Sequence, residues 1–345
     1  MTVTQAQPVL FSSTRGRLVL ILLCSIAFLD FVDGVIVNVA LPSIRRDLDF
    51  TVEGLQWVPS GYLLTYGGFM LSGGRAADLV GRRRILIAGT CVFGIASLAG
   101  GIAGTADLLV GARIVQGIGA AMMLPAALST LTTTYADGPD RHKAFGAWGA
   151  VAGLASAAGV LLGGLLTEGP GWRWVLLVNP PLCVLVLAAV LWLLPADAPA
   201  HRTSRLDVRG ALLGTGGMLA LVYAIVEAPD SGWTSAQTLI TIAGAVALIV
   251  GFVINEWRSS DPILPLSLFR IRGLSAANAT QLTGIAGFIA MFFFVTLYMQ
   301  NVLGYSPIES GLAYLPVCLG VVISAAIASQ LVTKVGPRLV IVLGA

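Results

Sequence analysis

The sequence predicts an all-α integral membrane protein with about ten complete transmembrane helices and the start of an eleventh. Three observations lead there. Of its 345 residues, 57% are hydrophobic and 11% charged, with a mean hydropathy of +0.89, whereas an ordinary soluble domain has about 25% charged residues. The apolar residues gather in runs near 20 long, the length that crosses the hydrocarbon core as a helix. Sixteen of the twenty Lys and Arg residues fall on one set of alternate loops, as in a chain whose basic loops stay inside. A membrane barrel is excluded, because its strands would be about 10 residues long and alternate in polarity.

In order, the runs cover residues 18–41, 55–71, 85–103, 108–133, 145–166, 175–194, 210–226, 239–254, 274–302 and 311–332, and an eleventh opens at Leu339. Arg15 and Arg17 precede the first, but that run is long enough to span and nine more follow, which argues against a cleaved leader. The second closes on GGRAADLVGRRR, Gly73 to Arg84, and the third starts directly behind it. The fourth holds Arg113, the fifth is rich in glycine, and the sixth follows Trp172 and Arg173. Only Arg45, Arg46 and Arg173 lie on the opposite loops, so the amino terminus is expected in the cytoplasm.

The loop after the tenth run, ASQLVTKVGPRLVIVLG, echoes the loop after the second at an offset of 255 residues: Gly336 falls on Gly81, Val335 on Val80, Arg338 on Arg83 and Gly344 on Gly89. Repeated helix bundles are how many transporters are built, with the substrate at the repeat interface. The expected organisation is a cytoplasmic tail, 1–17; a six-helix bundle, 18–194; a cytoplasmic linker, 195–209; two inserted helices, 210–256; a second cytoplasmic linker, 257–273; and a carboxy-terminal bundle, 274–345. With two and a fraction of its six helices present, that last bundle reads as incomplete and the chain as truncated.

Several classes of chemistry find no support. Cys24, Cys91, Cys183 and Cys318 all lie inside runs without paired spacing, so neither a disulfide framework nor a metal site is indicated. His142 and His201 sit in charged loops without partners for enzyme chemistry. No glycine-rich loop ends in Gly-Lys-Ser or Gly-Lys-Thr, which leaves an ion gradient rather than a nucleotide or other cofactor as the energy source. The net charge of +3 reflects loop topology rather than a nucleic-acid surface.

The first run poses the main problem. In FLDFVDGVIVNVALP, Asp30 and Asp33 stand amid apolar residues, where an ionised Asp costs about 2.5–3.5 kcal/mol on insertion scales. Three residues apart, they share one helical face, which must be interior. At 1.5 Å per residue, Asp33 lies roughly 12 Å and Arg113 roughly 8 Å from the outer end, so pairing between them is open. Repulsion and desolvation favour the protonated acid while Arg113 favours the carboxylate. Asp33 is therefore expected to be the main proton carrier, Asp30 a second carrier or substrate contact, and Arg113 the modulator of both. The alternative is a purely structural lock between the first and fourth helices.

In GGRAADLVGRRR the glycines allow two helices to approach and Asp78 is placed to accept from helix amides or an arginine. Through Gly74, Asp78, Gly81, Arg82 and Arg83 the segment resembles the signature loop of the major facilitator superfamily, with Leu79 at a position usually basic; an ordinary positive-inside loop is the alternative. Asp33 with Asn38, Ala40, Leu41 and Pro42 resembles the first-helix motif of that superfamily's fourteen-helix multidrug/proton antiporter branch, with Val35 where Thr is usual. LLVGARIVQGIGAA resembles its fourth-helix motif through Arg113, Gln116, Gly117 and Gly119. WRWVLLVNPP and YMQNVLGYSPIESGLAYLP resemble the sixth-helix entrance and the ninth-to-tenth junction. The resemblance implies a major-facilitator-type bundle and a conformational latch at the signature loop.

Gly153, Gly159, Gly163 and Gly164 on the fifth run resemble the antiport motif, with Val160 at its proline position; a simple small-residue packing face is equally open. A multidrug pocket needs roomy, adaptable aromatic and Met surface. Trp57, Tyr62, Tyr66 and Met70 on the second run, Gln116 and Met123 on the fourth, and Phe288, Phe292 and Tyr298 on the ninth are its candidates, each also compatible with ordinary packing. The whole implies a monomeric protein of the cytoplasmic membrane, surrounded by lipid, that exports amphipathic or cationic small molecules in exchange for protons. A carrier of one metabolite, exporter or importer, is the alternative.

Overall fold

The computed structural model describes residues 13–197, 207–259, 262–271, 273–336, 339–340 and 344, and among these all regular structure is helical. The ten apolar runs become α1 (Thr14–Asp47), α3 (Trp57–Val80), α4 (Arg82–Gly101), α5 (Ala106–Thr134), α6 (Pro139–Glu168), the pair α7 (Arg173–Leu177) and α8 (Asn179–Leu193), α9 (Val208–Ser231), α10 (Ala236–Arg258), α11 (Leu274–Asn301) and α12 (Pro307–Val335). A single turn, α2 (Val52–Leu55), precedes α3, and a 3-10 turn, Leu266–Arg270, precedes α11. Eight of the helical stretches are long and apolar enough to cross a membrane. With large apolar side chains such as Trp192 and Trp257 left exposed, the chain is a multi-pass membrane protein.

The helix ends follow local chemistry. Ser13, Thr51, Thr105, Asp207, Ser235 and Ser306 each accept a first-turn amide, and Glu309 completes a capping box with Ser306, satisfying donors that have no partner within the helix. Gly81 and Gly336, paired by the sequence repeat, end α3 and α12 alike. Each has positive φ, 118° and 83°, and donates to the carbonyl four residues back, a geometry that favours glycine.

One expected helix is broken. The sixth run is interrupted at Val178 because Pro180 and Pro181 open α8 and neither has an N–H to bond a carbonyl in the preceding turn. The helix α1 is longer than its apolar run, 34 residues or about 51 Å, since nothing at Arg45 or Arg46 stops it.

Two apolar cores stack along α1 and α3–α8. One gathers Leu23, Ile26, Leu86, Phe93, Met123, Leu131, Tyr135 and Val190; the other gathers Ile36, Val37, Ile44, Val58, Leu109, Trp172 and Leu176. Between them lies a layer of buried polar groups. The helices α4 and α5 meet backbone to backbone: a Cβ on Gly119 would stand 2.6 Å from the Phe93 nitrogen, and one on Gly89 2.9 Å from the Gly119 carbonyl oxygen. The helix α6 packs between α1 and α12, while α9 packs on both α3 and α10. The contacts of α11 run to α12 and the 3-10 turn.

Gly119→Ala is therefore expected to force α4 off α5 and lower stability by about 1–3 kcal/mol. Gly111→Ala, with nothing within 4 Å of the added carbon, should leave it unchanged. Thermal unfolding in detergent, monitored by size-exclusion chromatography, compares the two.

Candidate functional site

The polar layer is built from one or two side chains of each of α1, α3, α4, α5 and α8. Asp33 of α1 is fully buried and accepts three hydrogen bonds: from Arg113 Nη1 at 2.5 Å, Gln116 Nε2 at 2.8 Å and Asn179 Nδ2 at 2.7 Å. Arg113, 1% exposed, also donates to Gln116 Oε1 at 2.7 Å and from Nε to the Val58 carbonyl at 3.2 Å. Ser97 of α4 accepts from Asn179 at 2.9 Å and Gln116 at 3.3 Å. Its own hydroxyl donates to the Leu176 carbonyl at 2.9 Å. That carbonyl is available because its regular partner, four residues on, is Pro180. The broken helix thus becomes the anchor of the network.

Asp30, one turn earlier, has a different environment. Its Oδ1 accepts from the Tyr62 hydroxyl at 2.6 Å and its Oδ2 from that of Tyr66 at 3.4 Å. The two rings stack at 5.8 Å, and the Arg113 guanidinium lies 4.3 Å from the Tyr62 ring centre. Among the described residues no Lys or Arg forms an ion pair with Asp30. The pairing of Arg113 with Asp33 that the sequence left open is made directly, while Arg113 meets Asp30 only across the Tyr62 ring.

The expected aromatic cavity is also redrawn. Tyr62 and Gln116 are buried in the polar layer and Met123 in the apolar core, so none of the three faces an open space. Their placement has a physical cause, since the hydroxyl and the amide find full hydrogen bonding only in that layer. Trp57 packs on Tyr223 of α9, 5.8 Å between rings, and Tyr298 is exposed. The side chains of Phe288 and Phe292 lie outside the described residues. Tyr66 and Met70 do come together, joined by Phe28, Phe31 and Trp148 in a half-buried aromatic patch beside Asp30. Phe28 and Phe31 were legible only as apolar residues flanking Asp30, and Trp148 carried no sequence signal for the site.

At the end of the bundle that carries Gly81, the signature loop is tied to its neighbours. Arg82 donates to Thr133 at 2.9 Å and Arg83 to the Leu191 carbonyl at 3.0 Å. Asp78 faces Arg82 at 3.7 Å as an exposed pair, a kind worth little. The acceptor for the helix amides is instead Asp197, which takes Arg83 N at 3.0 Å and Arg84 N at 2.9 Å. Asp78 sits on the last turn of α3, whose own end offers carbonyls, whereas the free amides open α4. A Cβ on Gly74 would meet Pro125 at an ordinary 3.6 Å, so this glycine is not required by a close approach.

The glycines of α6 face two helices. Gly159 and Gly163 hold Val35 and Val39 of α1 at about van der Waals range, while Gly153 and Gly164 seat Val321 and Ile308 of α12. Val160 packs on Gly311, and α6 runs without a break from Pro139 to Glu168.

Membrane-length helices wrapped around a charged, hydrogen-bonded interior define a polytopic membrane protein. The chain belongs to the Major Facilitator Superfamily, whose family model matches residues 23–345. It is 43% identical over 328 residues to the puromycin resistance protein pur8 of Streptomyces alboniger, covering 94% of this chain and 64% of that one. It is 40% identical to the cephamycin export protein CmcT of Amycolatopsis lactamdurans, covering 94% and 68%. The chain thus spans about two thirds of the length of these relatives. Its fold is similar to the crystal structure of the peptide transporter POT in complex with sulfate, with a TM-score of 0.60 and 16% identity over 97% of this chain and 73% of that one.

Arg113→Ala strands the buried Asp33 and is expected to destabilise the protein by about 3–5 kcal/mol. Asn179→Ala, which removes a neutral donor, should cost about 1–3 kcal/mol. Thermal unfolding of the two variants in detergent gives the order.

Proposed function

We propose that this protein exports amphipathic or cationic compounds across the cytoplasmic membrane in exchange for protons. It works as a monomer, with its amino terminus in the cytoplasm and the proton gradient as its energy source in place of a bound cofactor. What supports export is that relatives named for antibiotic resistance and export align over 94% of the chain. What carries the coupling is one observation: two buried carboxylates share a site with a single guanidinium. Such a site changes its net charge by one whenever a proton enters or leaves, and the bundle that encloses it is stable in different arrangements before and after.

The half-buried patch of Phe28, Phe31, Tyr66, Met70 and Trp148 gives the substrate an apolar, deformable surface next to Asp30. A cationic substrate and a proton then compete for the same negative charge, which is the logic of exchange. The helices of residues 18–194 move as one body against those from 274 onward, and the glycine face of α6 against α12 is the sliding surface. The ties of Arg82 to α5 and of Arg83 to α8 keep the first body rigid while it moves.

Cells expressing the full-length protein should survive higher doses of several dyes and antibiotics, and a protonophore should abolish the protection. Protonophore-insensitive efflux would overturn proton coupling. Protection against a single compound would point to a dedicated exporter instead.

A further inference from the structure

The two carboxylates of the polar layer differ in what their partners can do. Each partner of Asp33 is a donor and nothing else in this geometry. The guanidinium of Arg113 has no acceptor. The amide of Gln116 is held in one orientation because its Oε1 accepts from Arg113 at 2.7 Å; turned over, it would set its NH2 against the guanidinium. The amide of Asn179 is held likewise. Its Nδ2 donates to Ser97, whose hydroxyl is committed to the Leu176 carbonyl, and that carbonyl lacks a backbone donor at Pro180. A proton on Asp33 would therefore point at N–H groups and leave buried donors unpaired. Asp33 is satisfied only as a carboxylate.

Asp30 is held by hydroxyls, which donate and accept equally well. When Asp30 is ionised, Tyr62 and Tyr66 donate to it; when it is protonated, the acid donates to one phenolic oxygen and the phenol turns its hydrogen aside. With the proton on Oδ2 and donated to Tyr66, Tyr62 goes on donating to Oδ1, and the Tyr66 hydrogen turns toward the half-buried patch. Asp30 also adjoins the half-buried Tyr66 and the aromatic patch, while Asp33 is sealed at 0% exposure. The charged and titratable groups facing Asp30 are Asp33 on its own helix, Tyr62 and Tyr66 on α3, and Arg113 on α5.

We infer that Asp30, rather than Asp33, takes up and releases the exchanged proton, with Tyr62 and Tyr66 as its positioning residues and Asp33 as a standing counter-charge to Arg113. The inference rests on the proton-coupled reading above. Loading forms an O–H bond on Asp30 from a hydronium ion and returns a water molecule. Unloading breaks that bond and passes the proton to water on the other side. No electrons are transferred.

The test uses the full-length protein in liposomes with an imposed pH gradient, ethidium as the cationic probe and an internal pH dye. Asp30→Asn keeps hydrogen bonds to both tyrosines, so it should fold and equilibrate ethidium downhill. It should lose uphill export and ethidium-triggered proton movement. Asp30→Glu should restore both. The double variant Tyr62→Phe, Tyr66→Phe should shift the pH profile of proton release, and it serves if Asp30→Asn does not fold. Proton movement in Asp30→Asn equal to the wild type, or an unchanged profile in the tyrosine variant, would overturn the assignment while leaving coupling intact. A wild type that moves no protons would overturn the coupled reading and the assignment with it.

Discussion

The ion pair between Asp33 and Arg113 is the constraint around which the rest of the bundle is arranged. Neither residue has access to water, and withdrawing two charges from water is compensated only when geometry and further hydrogen bonds are both supplied. Here Gln116, Asn179, Ser97 and the Val58 carbonyl supply them. The pair therefore sets the relative depth of α1, α3, α4, α5 and α8. A shift of any one helix by a turn would leave a buried donor or acceptor unpaired.

That network can close only because the helices come unusually near. The carbons missing from Gly89 and Gly119 let α4 and α5 meet at backbone distance, and Gly117 lets α5 reach Tyr62 and Thr65 of α3. Thr65 then donates across the gap to the Ile114 carbonyl at 2.7 Å. Without a strong hydrophobic drive between helices in lipid, close van der Waals packing and such bonds are what associate them. The apolar cores on either side of the polar layer keep water out and so keep its hydrogen bonds strong.

The same small residues serve a second purpose on α6. One side of that helix is seated on α1, the other on α12. The interface with α12 is a row of glycine, valine and isoleucine contacts without ion pairs among the described residues. Its contacts are individually small and non-directional, whereas the polar layer is directional and strong. A helix pair that is to slide needs the first kind of contact; a bundle that is to move as one body needs the second.

Much of this was legible in the sequence. The apolar runs and the sorting of charge are local properties, so the spans and their order could be read directly. An Asp in an apolar run must point inward, which placed Asp30, Asp33 and Arg113 in the interior before any packing was known. Partner choice was not legible, because it depends on how each helix is rotated about its axis. Thus Tyr62 and Gln116 read as pocket walls or ordinary packing, not as the carboxylate ligands they are, and Asp78 read as an acceptor for helix amides or an arginine, where the structure shows the arginine and gives the amides to Asp197. The role of Asn179 and Ser97 stayed hidden for the same reason: it arises from a carbonyl freed by Pro180, 79 residues from the hydroxyl that bonds it. Sequence alone determined which residues must leave the lipid; only the tertiary structure decided whom they meet, since hydrogen bonds are short and directional while hydrophobic burial is neither.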